Sequence, residues 1–355
     1  MKVGGSRMRR KISRRDFMIQ GSGAVIGAGF ALKTGHPEIR SAGSSRVIEV
    51  SHPGAVPRGR EVDPVVTKRM LKAGLERLTG LKQPWARFIK PDDRIGLKIN
   101  TLGRPLLFTH HELIRAVSED LLAFGVKPEN IIVWDRYETH MADCDFSFNT
   151  SGEGITCYGT EALKADDSRF DPEHFYESKL DRADQRAEGR TASYLSRIFT
   201  RECDKFINLA ILKDHGLAGV TLTLKNLAYG LCDNNRRFHG PDCIGPFISE
   251  FCMLPMVRDK VVLHMIDGLE ACYDQGPRPR NPKVIYPQNT LWIGTDPVSL
   301  DTVGFRVINA KRRTEGIPPL EETGRPLDHI SLAAKLGLGI DDPEKIRVVK
   351  VDLGG

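Results

Sequence analysis

The chain has 355 residues, 52 Lys+Arg against 46 Asp+Glu for a formal net charge of +6, 40 % apolar residues and 7 % aromatics. That length, with 28 % charged residues and ordinary Gly and Pro content, predicts one large or two tightly packed domains and excludes disordered, collagenous and coiled-coil chains. No uncharged apolar run of about 18 residues occurs, which excludes a chain of membrane-spanning helices.

The charge is unevenly placed. Residues 1–43 hold nine basic and two acidic residues, leaving 43 basic and 44 acidic over 44–355. No nucleic-acid partner is expected, because that needs a basic face on the folded domain. Within the leader, Ser13-Arg14-Arg15-Asp16-Phe17-Met18 resembles a twin-arginine export signal, with Met in the usual Leu position. The Gly-rich stretch 17–32 that follows is too short and polar for a permanent span and reads as a signal-peptide h-region. Ser41-Ala42-Gly43 supplies small residues for cleavage but no A-x-A triplet. The resemblance implies export in the folded state to the periplasm or cell envelope. The export machinery would be a partner, with membrane contact only through an uncleaved leader. It also implies a cofactor inserted before export.

Residues 44–355 are expected to form a single large α/β domain. Short β-branched runs at 46–51, 94–100, 130–135, 205–212, 260–267, 289–294 and 345–352 read as strands. Helical patterns lie at 64–78, 112–124, 220–231, 247–254, 296–308 and 328–336. That alternation predicts a mostly parallel sheet flanked by helices. The stretch 137–190 is polar and without clear periodicity, and reads as an irregular insertion near the ligand face.

Ligands of open α/β sheets bind beyond the carboxyl ends of the strands, where this chain places Lys98, Asn100, Asp135, Lys213, His215, Asp267 and Asp296. The densest segment runs from Lys213 through His215 and Gly219 to Thr221, Lys225 and Asn226. If the strand continues, Lys213 and His215 share a face. If Gly219 opens a helix, Thr221 and Lys225 share another. Two lysines, a histidine and hydroxyls at a helix start suit a carboxylate or phosphate. Lys98, Asn100, Thr221, Lys225 and Asn226 are therefore candidate substrate ligands, with His215 and Lys213 as candidate catalytic groups.

The block Lys213-x-His215-x₃-Gly219-x-Thr221-x₃-Lys225-Asn226 resembles the central motif of the family called domain of unknown function 362. Ile266-Asp267-Gly268 with Gly276-Pro277, and the run from Gly294 to Asp301, are similar to further motifs of that family. Relatives often carry a ferredoxin-like iron–sulfur module. Here the seven cysteines (144, 157, 203, 232, 243, 252 and 272) contain no C-x-x-C, so neither that cluster nor a zinc ribbon is expected. They read as buried structural thiols.

Asp267, Asp296 and Asp301, joined by Asp135 and by His215 or His264, are candidate ligands for a divalent metal ion. His110-His111-Glu112 and Asp135 with His140 and Asp143 are weaker candidates, and the polar loop at His239 is a candidate to close over a site. No phosphate loop, nucleophile elbow or H-E-x-x-H motif occurs. Three functions fit these residues: an exported enzyme acting on a small anionic substrate with or without a metal, a metal-containing redox protein, and a non-catalytic envelope binding protein.

Overall fold

The structure is a computed structural model that describes residues 11–12, 43–57, 61–162, 169–178, 180–181, 189 and 191–354. Apart from the backbone of residues 11–12 and Gly43, the expected export leader lies outside the described residues.

Alternation of side chains builds the domain from the strands upward. In β2 (Ser45–Ser51), β4 (Ile131–Tyr137), β8 (Lys205–His215) and β10 (Val261–Cys272), the apolar side chains divide between two separate clusters, whereas those of β3 (Ile95–Lys98) enter one of them. Ile95, Leu97, Ile207, Leu209, Leu263 and Met265 face one side of the sheet. Helices α1 (Pro64–Thr79) and α2 (His111–Phe124) cover it with Met70, Leu71, Leu75, Leu113, Val117 and Leu121. Phe206, Ile132, Trp134 and Ile266 face the other side. There the helices α4 (Thr223–Gly230), α5 (Pro241–Cys252), α6 (Pro255–Lys260), α7 (Pro297–Thr314) and α8 (His329–Lys335) pack. Strands buried on both faces read as continuous apolar runs, as β8 and β10 do.

The main sheet has the order β12-β2-β11-β10-β8-β3-β4-β5, with the short β9 (Gly219–Thr221) hung on β8. Along that path every strand points the same way except β11 (Ile285–Gly294), which is antiparallel to both neighbours. The closing strand is β12 (Ile346–Asp352). The expected α/β class is the observed one. From β3 the chain runs outward through β4 and β5, then returns to place β8 on the other flank of β3. The reversal falls at the carboxyl ends of β3 and β8, the general ligand position in such sheets.

The described part of the stretch 137–190 holds more regular structure than its polarity suggests. It contains the helix α3 (Glu138–Ala142) and β5 (Thr156–Glu161), which extends the main sheet beside β4. It also holds β6 (Phe170–Tyr176), which joins β7 (Ser193–Ser196) and β1 (Lys11–Ile12) in a separate three-stranded sheet. These strands are short and irregular, which hides their period. Among the described residues, no helix is long and apolar enough to cross a membrane.

Candidate functional site

β3 and β8 are paired in register, so Lys98 of β3 stands beside Asn208 of β8, and Asn208 beside His264 of β10. All three are buried. The Lys98 ammonium has three protons and donates to three acceptors: the Ile99 carbonyl at 2.6 Å, Asp135 Oδ1 at 2.7 Å and Asn226 Oδ1 at 3.3 Å. Asp135 also accepts from the backbone N–H and hydroxyl of Thr101 and from the Arg136 N–H. Burial alone would raise the Asp135 carboxyl, but the Lys98 charge and these hydrogen bonds outweigh it and hold it below the usual range.

The network continues through amides. Asn226 on α4 accepts from Asn100 Nδ2 at 3.0 Å and donates to Asn208 Oδ1 at 2.7 Å. Asn208 in turn donates to the Thr223 carbonyl and lies 3.2 Å from His264 Nδ1. Asn100 Oδ1 accepts from Lys213 Nζ at 2.7 Å. Lys98, Asn100 and Asn226, expected as substrate ligands, therefore spend their polar groups on each other. Their effect is to fix Lys213.

Lys213 is fully buried and makes that single side-chain hydrogen bond among the described residues, so two of its three protons are not assigned. Its neighbour across the β8–β9 ladder is Thr221. The Thr221 hydroxyl is buried without a hydrogen-bond partner. Lys225, one turn along in α4, is 3 % exposed and lies 4.1 Å from the centre of the Tyr229 ring. Among the described residues it forms no ion pair or hydrogen bond. Burial lowers Lys225 to about 7, with the Lys213 charge pushing the same way, and burial lowers Lys213 to about 8.

His215 closes the turn after β8. Its Nδ1 accepts the backbone N–H groups of Leu217 and Ala218, each at 3.0 Å. A nitrogen that receives two N–H donors carries a lone pair, so the ring is neutral with its proton on Nε2. Burial and the charges of Lys225 and Lys213 drive its pKa well below the ordinary histidine value. This argues against the acid–base role expected for His215 and makes it a neutral hydrogen-bond donor. Burial also lowers His329, on α8, to about 3, with the Lys225 charge adding to the effect, and its Nε2 is buried without a partner. His239, half-buried, sits edge-on to Tyr229 with ring centres 4.7 Å apart. Burial lowers it, and the nearby Lys225 charge contributes.

Backbone crowding sets this arrangement. Gly219 has φ +73, and a side chain there would strike Leu327 at 2.1 Å, so the chain turns into β9 instead of opening a helix. Thr221 is thus on a strand and not on the face of α4 that carries Lys225, as its spacing suggested. Gly276 presses against Asp214, where a Cβ would lie 1.9 Å from the carbonyl oxygen. It donates to Asp214 Oδ1 at 2.7 Å and accepts from Gly216 N–H, which pins the loop holding His215.

The three candidate metal ligands are not brought together. Asp267 accepts from the backbone and ring nitrogens of His110, with Glu270 3.5 Å from the other side of that ring. Burial alone would lower His110, but these two carboxylates outweigh it and raise it to about 10. Asp296 caps α7 through Ser299 and also accepts from Ile340 N–H. Asp301 accepts from the N–H groups of Thr223 and Leu224 and from the Thr223 hydroxyl, so it caps α4 from a neighbouring helix. Carboxylates committed to N–H donors do not fit a divalent ion, and no three His, Cys, Asp or Glu among the described residues converge as a metal-ligating group. His111 binds the Cys144 carbonyl, and Asp143 pairs with Arg104. All seven cysteines are free thiols, six of them buried.

Residues 95–306, more than half of the chain, match the family described as domain of unknown function (DUF362). The chain belongs to the DUF362 family. A comparison with curated proteins finds no match. Among solved structures, the DUF362 chain is similar to a Thermotoga maritima protein whose crystal structure came from a structural genomics consortium. The TM-score is 0.41 with 10 % identity over 76 % of this chain, which spans 59 % of that protein's length. The DUF362 match runs from β3 into α7 and takes in Lys213, His215, Thr221, Lys225 and His239, but not His329.

Proposed function

We propose that this DUF362 protein binds a small anion, a carboxylate or a phosphate, beyond the carboxyl ends of the paired strands β3 and β8, and acts on it as an enzyme. One observation supports this reading. Lys213 and Thr221 face each other across the β8–β9 ladder, the Lys213 charge acts on Lys225 and both charges act on His215, and all four are buried with no carboxylate among the described residues paired to either lysine. Burying two cations side by side is unfavourable for an isolated domain, and an anion would reverse the sign of that interaction. In so dry a site each charged hydrogen bond is stronger than in water. The Lys98–Asp135–Asn100–Asn226 network would hold the donors rigid.

Sulfate tests this, since its charge does not change near neutrality. Lys213 near 8 and Lys225 near 7 must be protonated to attract it. Sulfate should therefore raise the melting temperature below pH 7, and the gain should fade as pH rises past 8. Lys213→Met should remove the gain, whereas a gain equal in both proteins and constant with pH would be a general salt effect and would refute the site.

The leader at residues 1–43 supports a second proposal, folded export through the twin-arginine machinery. Cell fractionation should find the protein in the periplasm or envelope, and Arg14→Lys with Arg15→Lys should retain it in the cytoplasm. Equal distribution of both forms would contradict export by this route.

A further inference from the structure

Lys225 differs from the other buried lysines. Lys98 gives all three protons to acceptors, and Lys213 is tied to Asn100. Lys260, half-buried, donates to the carbonyls of Phe199, Thr200 and Cys203. Lys225 has only the Tyr229 ring beneath it, with the Tyr229 hydroxyl turned away to the Phe238 carbonyl. Among the described residues, no acceptor holds the protons of this amine and no carboxylate stabilises its charge.

We propose that Lys225 is a nucleophilic amine that forms an imine with a small anionic carbonyl compound, of which a 2-oxo acid is the simplest. This rests on the anion reading above and names its substrate class. The substrate carboxylate would take the Lys213 ammonium and the Thr221 hydroxyl, leaving the adjacent carbonyl carbon to Lys225. The amine nitrogen bonds to that carbon to give a carbinolamine. The carbonyl oxygen then leaves as water with the two amine hydrogens, and a C=N bond remains. No oxidant or reductant is consumed. Burial and a neighbouring cation supply the physical requirement, an amine of which about half is uncharged at neutral pH. The neutral His215 fits the same requirement, because its Nε2–H can orient the carbonyl oxygen without adding charge.

The experiment is reductive trapping. The full chain is incubated with pyruvate and cyanoborohydride, which converts an imine into a stable secondary amine, and the peptides are mapped by mass spectrometry. Pyruvate-induced thermal stabilisation is measured in parallel. One reduced pyruvate unit should appear on the Lys225 peptide well before it appears on exposed lysines, and Lys225→Arg should lose that label. Mapping of the unsubstituted protein localises the adduct even if the variant folds poorly. Thermal stabilisation by pyruvate without selective label at Lys225 would overturn the imine while leaving the anion site standing. Neither label nor stabilisation, by pyruvate or by sulfate, would overturn both.

Discussion

Asp135→Asn should lower stability by about 3–5 kcal/mol, enough to leave much of the protein unfolded at ordinary temperatures. Asp135 is the single carboxylate bonded to the buried Lys98 ammonium, at 2.7 Å. An amide keeps the shape but removes the charge, so a buried cation loses its partner. The Thr101 N–H and hydroxyl and the Arg136 N–H also lose a charged acceptor. Removing both charges together, with Lys98→Met added, should recover part of the loss, since paired removal of a buried ion pair costs far less than orphaning one member. Chemical denaturation of the single and double variants measures this. A loss below about 1 kcal/mol for Asp135→Asn, the scale of a surface pair, would mean that the pair is not buried as described.

Lys225→Met should move stability the other way and weaken ligand binding. The ammonium is desolvated beside Lys213 and makes no ion pair or hydrogen bond among the described residues. A methionine of similar length keeps the packing on Tyr229 and removes the desolvation and the repulsion. A gain of about 1–4 kcal/mol is expected, the range seen when buried charges give way to apolar groups. Loss of one charged hydrogen bond, about 1.5–3 kcal/mol, should weaken anion affinity by about tenfold to more than a hundredfold. Stability and binding that change in opposite directions mark a residue kept for function. If Lys225→Met destabilises the fold and leaves anion affinity intact, Lys225 is a structural residue.

Most of the scaffold was legible in the sequence because buried strands and amphipathic helices leave strong periods. The helical patterns at 64–78 and 112–124 were readable from their periodicity, and the structure places α1 and α2 on them, with Asp63 capping the start of α1 and Gly80 and Gly125 ending the two helices in the left-handed conformation. The strand ends carrying Lys98, Lys213 and His215 were readable for the same reason. The division of labour among these residues was not. Whether Lys98 faces a ligand or three internal acceptors depends on Asp135, 37 positions away, and Asn226, 128 positions away. Local spacing carries no trace of such pairings.

The aspartates show the same limit. Asp296, a metal candidate by its place after a strand, is the N-cap of α7 just ahead of Pro297. Asp301 caps α4 across 78 positions, a contact set by helix packing. His329 was invisible as a site residue because it reaches the neighbourhood of Lys225 only when α8 settles on α5 and α7. Thr221 was assigned to a helix because Gly219 looks like a helix opener, whereas its positive φ and the Leu327 side chain behind it make a strand turn.

The most direct measurement is a crystal structure of the protein grown in sulfate. The account predicts an oxyanion within hydrogen-bonding distance of Lys213 Nζ, Lys225 Nζ and the Thr221 hydroxyl, with His215 Nε2–H directed at it. Density showing those groups satisfied by protein atoms, or the two ammonium groups turned away from each other with no anion between them, would contradict it.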